Sequence, residues 1–306
     1  MNTGSKAVTM GNQIDVLGIS ELMKPELTGL SVLTSICAFY LASDMLVDWN
    51  RLLYTAIGTL FVGGAAGALN QYLERDLDGL MKRTERRPLP SGRLSPALAL
   101  FVGVALSFIG LFVLLTTANV LAFGVALVTL TSYLFIYTPM KRTTPLNTVV
   151  GAIPGALPVL IGWSAARNDI TVPGILLFAV LFAWQVPHFL SLAWMYRKDY
   201  GRAGFKMLPV IDDSGLRTGR GMLWYTGALV LVSLGLTFTG TTGYIYLSGA
   251  IIAGTFLLYP AYLFRKASLL QSQEAGAVRN SLSRKIFFAS LAYLPALMTL
   301  MVLDKS

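Results

Sequence analysis

Charge is scarce in this chain. Only 13% of its 306 residues are Asp, Glu, Lys or Arg, against 55% hydrophobic, and a water-soluble fold of that size cannot bury so much apolar side chain. Cysteine is scarcer still. The single Cys37 lies inside an apolar run, which excludes an intramolecular disulfide and a cysteine-based metal cluster. Strict apolar–polar alternation over ten-residue stretches is missing, and with it the signature of a membrane β-barrel. The first 25 residues carry Lys6, Asp15, Glu21 and Lys24 without an apolar core or a small-residue cleavage site, so they read as neither a secretory signal nor an Arg-rich transit peptide. Low-complexity tracts, short-period repeats and a soluble domain are lacking too.

What is present is a series of long apolar runs. A bilayer core of about 30 Å needs roughly 20 helical residues, and helices cross it because they satisfy their own backbone. Nine runs qualify, at 27–47, 52–72, 95–116, 118–138, 147–166, 172–195, 222–240, 243–264 and 285–303. The expectation is an all-α, polytopic membrane helix bundle: residues 1–26 as a cytoplasmic N-terminal arm, 27–303 as the transmembrane domain and 304–306 as a short C-terminal tail. With the N-terminus cytoplasmic, 21 of the 24 Lys and Arg residues fall on the cytoplasmic side, and only Arg51, Arg167 and Lys305 fall outside. That is the positive-inside asymmetry. It places the loops after spans two, four, six and eight on the cytoplasmic face of a bacterial-type inner membrane. The net charge of +9 is then met by the anionic lipid bilayer surface, and no nucleic-acid partner is called for.

The most charged stretch is "ALNQYLERDLDGLMKRTERRPLPSG", residues 68–92. On a continuous helix Asn70, Glu74 and Asp78 fall within about 80° of one another and rise about 6 Å per step. Two carboxylates and an amide oxygen on one face repel unless a cation lies between them, and such hard ligands suit Mg²⁺. Arg83 and Arg87 follow with forked donors for phosphate oxygens. Asp76 points elsewhere, as a solvated or salt-bridged group. A plainer reading stands beside this one: a charged helix end held by pairs such as Asp78 with Lys82.

The other loops on that face weigh toward the first reading. "YTPMKRTTPLN", 137–147, brings Tyr137, Lys141 and Arg142; "WQVPHFLSLAWMYRKDYGRAGFKMLPV", 184–210, brings Gln185, His188, Tyr196 and Asp199. Asp199 stands eleven residues from His188 and fourteen from Gln185, so on one continuous helix the three share a stripe, despite the kink expected at Pro187. An intramembrane imidazole needs a partner or a cavity. Pro154, Pro158 and the glycines of span five read as close helix packing. A polar cluster at one membrane face above an apolar cleft suits a lipid-tailed diphosphate, with a transporter as the rival reading.

The pattern Asn70-x3-Glu74-x2-Leu77-Asp78-x2-Met81-x-Arg83-Thr84-x2-Arg87-x4-Gly92 resembles the first aspartate-rich signature of the UbiA superfamily of intramembrane prenyltransferases. "YTPMKRTTPLN", "GAIPGALPVLIGW", "WQVPHF" and "DYGRAGFKMLPV" resemble its heme O synthase branch more than the quinone-pathway branch, and the likeness runs from Leu22 onward. Glu74 stands where the superfamily often has Asp. A second paired-acid motif is reduced to Asp199, since Met195 lies four residues before it, and Glu26 stands where relatives often carry a base. The resemblance implies farnesyl transfer from farnesyl diphosphate to heme b, giving heme O. Mg²⁺ would be held by Asn70, Glu74, Asp78 and Asp199, and the diphosphate by Arg83, Arg87, Lys141 and Arg142. Gln185 and His188 would face heme, and Tyr72, Tyr133, Tyr137 and Tyr196 a developing carbocation. A heme A synthase or a terminal-oxidase assembly protein is the expected partner. A quinone or chlorophyll-type ring is the alternative acceptor.

Overall fold

The structure is a computed structural model, and it describes residues 15–44, 46–270 and 272–306. Most of the expected N-terminal arm, residues 1–14, lies outside the described residues. Among them, nine helices are long and apolar enough to cross a membrane. They are α2 (Pro25–Ala42), α3 (Trp49–Asp78), α4 (Pro96–Val113), α5 (Val120–Thr131), α7 (Asn147–Arg167), α8 (Val172–Met195), α10 (Leu216–Phe238), α11 (Tyr244–Ala267) and α12 (Gln273–Leu303). α4 runs on through a π-helical turn, and α5 through a second one into α6 (Thr138–Met140). Two short helices lie outside the spans, α1 (Val16–Leu22) and α9 (Arg197–Arg202). Large apolar side chains such as Phe101, Phe108, Phe112, Trp224, Leu231 and Phe256 face outward, where only lipid can cover them. This is an integral membrane protein.

The apolar runs mark the spans within a few residues, but three helices extend past them. α3 continues six residues beyond the expected end at 72, α10 begins six before 222, and α12 begins twelve before 285. Hydropathy falls where polar residues enter, whereas the helix ends only where its backbone bonds do. At 30 residues, α3 is about 45 Å long, well over the bilayer core. Its last turns therefore carry Asn70, Glu74 and Asp78 to the membrane face on one rigid rod.

α7 and α8 form the middle of the bundle and have the most buried spans. α7 packs on α2, α5 and α8, while α8 also meets α10 and α12. Pro154 and Pro158 sit inside α7 and are accepted because small neighbours close around the helix. At Gly162 a Cβ would stand 1.9 Å from the Ser35 carbonyl oxygen of α2, so only glycine permits that approach. The three cations outside the expected cytoplasmic set gather at the other end of the bundle from Glu74. Arg167 pairs with Asp44 at 2.8 Å, Arg51 lies 3.6 Å from Asp48, and the Lys305 ammonium donates to the carbonyls of Tyr40 and Ser43.

Gly162→Ala is expected to push α2 and α7 apart, at about 1–3 kcal/mol of overpacking, and to lower the thermal midpoint in detergent by several degrees. Gly29→Ala, where a Cβ meets nothing within 4 Å, is expected to leave the midpoint unchanged or slightly raised.

Candidate active site

The last two turns of α3 turn their polar face inward. Asn70, Glu74 and Asp78 are all buried, whereas Asp76 is exposed. The Asn70 amide donates to Glu74 Oε2 at 2.9 Å and to Thr138 Oγ1 at 3.3 Å. Thr138 is delivered by the π-helical turn Ser132–Tyr137, its hydroxyl donating to the Tyr133 carbonyl five residues back. Such insertions recur at functional sites because they re-aim side chains without ending the helix.

Buried carboxylates must be answered, and each finds a cation from elsewhere in the chain. The Lys141 ammonium donates to both oxygens of Glu74 at 2.9 Å. Arg87 folds back from the loop after α3 to donate to Asp78 Oδ2 at 2.7 Å, while the Thr84 hydroxyl closes the same turn on the Asp78 carbonyl. Burial pulls the Lys141 pKa down, but the Glu74 carboxylate beside it more than offsets that and holds it above the usual lysine value. Arg83 donates to the Tyr200 hydroxyl at 3.2 Å and lies 5.6 Å from the Tyr196 ring. Arg142 does not join them: it is exposed in the loop after α6.

Lys24 does join, and sequence reasoning passed over it as one more cytoplasmic cation. Its ammonium donates to Asn70 Oδ1 at 2.6 Å, and its backbone adopts a left-handed conformation, φ 49°, that few non-glycine residues accept. That conformation aims the side chain under α3. Burial, and then the charges of Arg87 and Lys141, push its pKa down to about 7. The readable signal was the Lys-Pro pair opening the first span; the left-handed backbone was not readable.

Of the four tyrosines, Tyr133 and Tyr137 pack at 5.4 Å beside the cluster, with Lys141 4.7 Å from the Tyr137 ring. Tyr196 borders it through Arg83. Tyr72 does not. It packs with Leu22, Leu94 and Leu98 on the opposite side of α3, under Arg75.

Gln185, His188 and Asp199 do not form one stripe. α8 runs unbroken past Pro187 but stops at Met195, and Tyr196 turns the chain into α9. Gln185 faces α7, with Nε2 3.4 Å from the Ala152 carbonyl. His188 faces α12, stacked between Trp184 at 5.0 Å and Phe287 at 4.8 Å, with Nδ1 2.9 Å from Ser290 Oγ. Asp199 pairs with Arg202 on its own short helix. Among the described residues, no three His, Cys, Asp or Glu side chains gather closely enough for a metal ion.

The donors on α3 nevertheless suit a hard cation: an amide oxygen and four carboxylate oxygens, buried on one face and already drawing positive groups to themselves. Two acids are matched by Lys24, Lys141 and Arg87, with Arg83 alongside. The excess of positive charge suits an anion carrying its own divalent cation.

The bundle of membrane spans gathers acids, an amide and several cations at one end. Comparison with known proteins supplies the class. Residues 31–298 match the UbiA prenyltransferase family, and the chain belongs to that family; it is a membrane prenyltransferase. It is 44% identical to a protoheme IX farnesyltransferase of Solibacter usitatus over 93% of this chain and 97% of the relative. It is also 40% identical to one of Salinibacter ruber over 92% and 96%. Among solved structures, a digeranylgeranylglyceryl phosphate synthase superposes with a TM-score of 0.76 at 17% identity, covering 94% of this chain and 98% of that one. A UbiA homolog from Archaeoglobus fulgidus bound to GPP and Mg²⁺ gives 0.65 at 14%, covering 93% and 99%. At those identities the likeness is one of fold.

Glu74→Gln is expected to leave the largely buried Lys141 charge unpaired and to cost about 3–5 kcal/mol, read as a fall in thermal midpoint. Glu74→Gln with Lys141→Met is expected to regain most of that loss. A double variant no more stable than the single one would show that the pair is not the source.

Proposed function

We propose that this chain transfers a farnesyl group from farnesyl diphosphate to a vinyl group of heme b, giving heme O, with Mg²⁺ and at the cytoplasmic face of a bacterial inner membrane. The observation that carries the reading is the cluster at the end of α3, where Lys24, Lys141 and Arg87 surround Asn70, Glu74 and Asp78. Heme as acceptor is supported by relatives named protoheme IX farnesyltransferase over nine-tenths of the chain.

In this reading Asn70, Glu74 and Asp78 would hold Mg²⁺, which would neutralise the diphosphate and make it a better leaving group when bound, while Asp199, paired with Arg202 on α9, stays outside this set. Lys141 and Arg87, now spent on Glu74 and Asp78, turn to phosphate oxygens when the acids take a metal. Arg83 completes the anion site, and Arg142, exposed in its loop, has no part in it. These cations stabilise the charge that builds on the leaving diphosphate as the farnesyl C1–O bond breaks. Tyr133, Tyr137 and Tyr196 present ring faces to the allylic cation, worth about 1–2 kcal/mol each when desolvated. The vinyl π-electrons form the new bond to C1. Water then adds to the adjacent carbon and releases a proton, completing the hydroxyethylfarnesyl group. Tyr72, beneath Arg75, has no part in this. Gln185 and His188 lie deeper, where the acceptor's ring would reach.

Membranes containing the protein, given heme b, farnesyl diphosphate and Mg²⁺, are expected to yield heme O by mass; prenylation of an added quinone precursor and not of heme would overturn the acceptor. Asp78→Ala is expected to abolish turnover at every Mg²⁺ concentration.

Lys24 adds a pH dependence. With a pKa of about 7 in the free protein, it is charged at pH 6 and mostly neutral at pH 9. Bound diphosphate favours the charged form, so binding above pH 7 must take up a proton and weakens by up to about tenfold per pH unit. KM for farnesyl diphosphate is therefore expected to rise from pH 7 to 9 in the wild type. Lys24→Met is expected to start from a higher KM at pH 6 and to lose that component of the slope. Parallel profiles would remove Lys24 from the anion site.

A further inference from the structure

A second basic site lies on the other side of the α8–α9 junction from the diphosphate cluster. Where α8 stops and α9 turns away, a cavity of about 390 Å³ opens against α12, lined by Arg197, Lys198 and Asp199 and by Asn280, Ser283 and Arg284. The charges there do not cancel. Asp199 is taken by Arg202, and the Lys198 and Arg284 side chains make no hydrogen bond or ion pair among the described residues. Arg197 is held in place, donating to the Trp194 carbonyl at 2.8 Å and to Asn280 Oδ1 at 3.2 Å, with its guanidinium 4.6 Å from the Trp194 ring.

Deeper in the membrane, the same seam between α8 and α12 becomes aromatic. His188 is buried, stacked between Trp184 and Phe287, and Phe288 lies edge-on to Phe287 at 5.4 Å with the Phe288 ring largely exposed. From His188 to the end of α8 the helix rises about 10 Å. A cationic pocket at the membrane face therefore stands over a packed aromatic seam whose exposed edge is the Phe288 ring. That pairing fits a planar, apolar ring with carboxylates along one edge, and it does not fit a prenyl diphosphate, whose apolar part is a chain.

We propose that this pocket binds the two propionate carboxylates of the heme acceptor, with Lys198 and Arg284 as the carboxylate-binding cations and Arg197 and Asn280 as the frame that positions them. The assignment rests on the heme reading given above. It separates two anion sites across one helix junction. Tyr196, whose ring faces Arg83, marks the boundary between diphosphate on one side and carboxylates on the other. Both cations recognise any oxyanion, so an anionic lipid headgroup is the competing source of the same chemistry.

The test uses the full-length protein in nanodiscs of phosphatidylcholine alone, with heme O formation measured for wild type, Lys198→Gln and Arg284→Gln. Heme b and its dimethyl ester, which lacks the charges, serve as acceptors. Loss of one charge-assisted hydrogen bond at a partly exposed site is expected to raise KM for heme b about tenfold in each variant. KM for farnesyl diphosphate is expected to hold, and the ester is expected to be used equally by all three proteins. Arg51→Gln, at the far end of the bundle, is expected to match the wild type throughout. Equal KM values for heme b in wild type and variants overturn the pocket, as does a loss that persists with the ester. A difference that emerges only when anionic lipid is added assigns the site to a headgroup and also overturns it. A wild type that prenylates some other acceptor and no heme overturns the functional reading, an outcome distinct from failure of the pocket alone.

Discussion

Two carboxylates buried at the end of a membrane-spanning helix are the constraint from which the rest of this structure follows. Glu74 and Asp78 are almost fully enclosed, and an unanswered charge in that position would be protonated or would unfold the helix end. The chain answers them with Arg87 from the loop after α3 and Lys141 from after α6, while Lys24 before the first span bonds Asn70 beside them. No single segment can supply such a set. The cluster exists only when the spans are packed, so the polar site and the fold stand or fall together.

The packing that brings these segments together is unusually intimate at its centre. α7 carries two prolines and a row of small residues, and Gly162 lies against the Ser35 carbonyl closely enough that no side chain fits. In a bilayer, apolar surface gains little by leaving lipid for protein, and close van der Waals contact between small residues does most of the work of association. The bulky side chains are instead turned outward, to lipid. That division leaves α7 and α8 fixed at the centre, while the acids lie at the end of α3.

Much of this was legible in the sequence because its causes are local. Hydropathy marks spans, and the spacing of Asn70, Glu74 and Asp78 marks a shared face as long as the helix is continuous, which α3 is. The same argument failed for Gln185, His188 and Asp199, because α8 ends at Met195 and spacing carries no phase across a break. Lys24 was missed for a different reason. Its position follows from a left-handed backbone and from contact with a helix 46 residues away. Neither leaves a periodic trace. Tyr72 was misplaced because a tyrosine near a site in sequence points to either side of its helix, and only packing against Leu22 and Leu98 decides which.

In the proposed reaction the cations that neutralise the acids also serve as ligands of the diphosphate. There a metal on the acids would release Lys141 and Arg87 to phosphate oxygens, so the site would exchange one set of charge pairs for another. Pre-arranged groups of this kind need little reorganisation when charge develops on a substrate. Lys24 is the exception that makes the balance adjustable. Bonded to a neutral amide and crowded by Arg87 and Lys141, it holds its proton weakly, so its charge is the one in the cluster set by what else is bound. If the site takes the proposed diphosphate, its net positive charge would therefore rise when that anion binds and fall when it leaves.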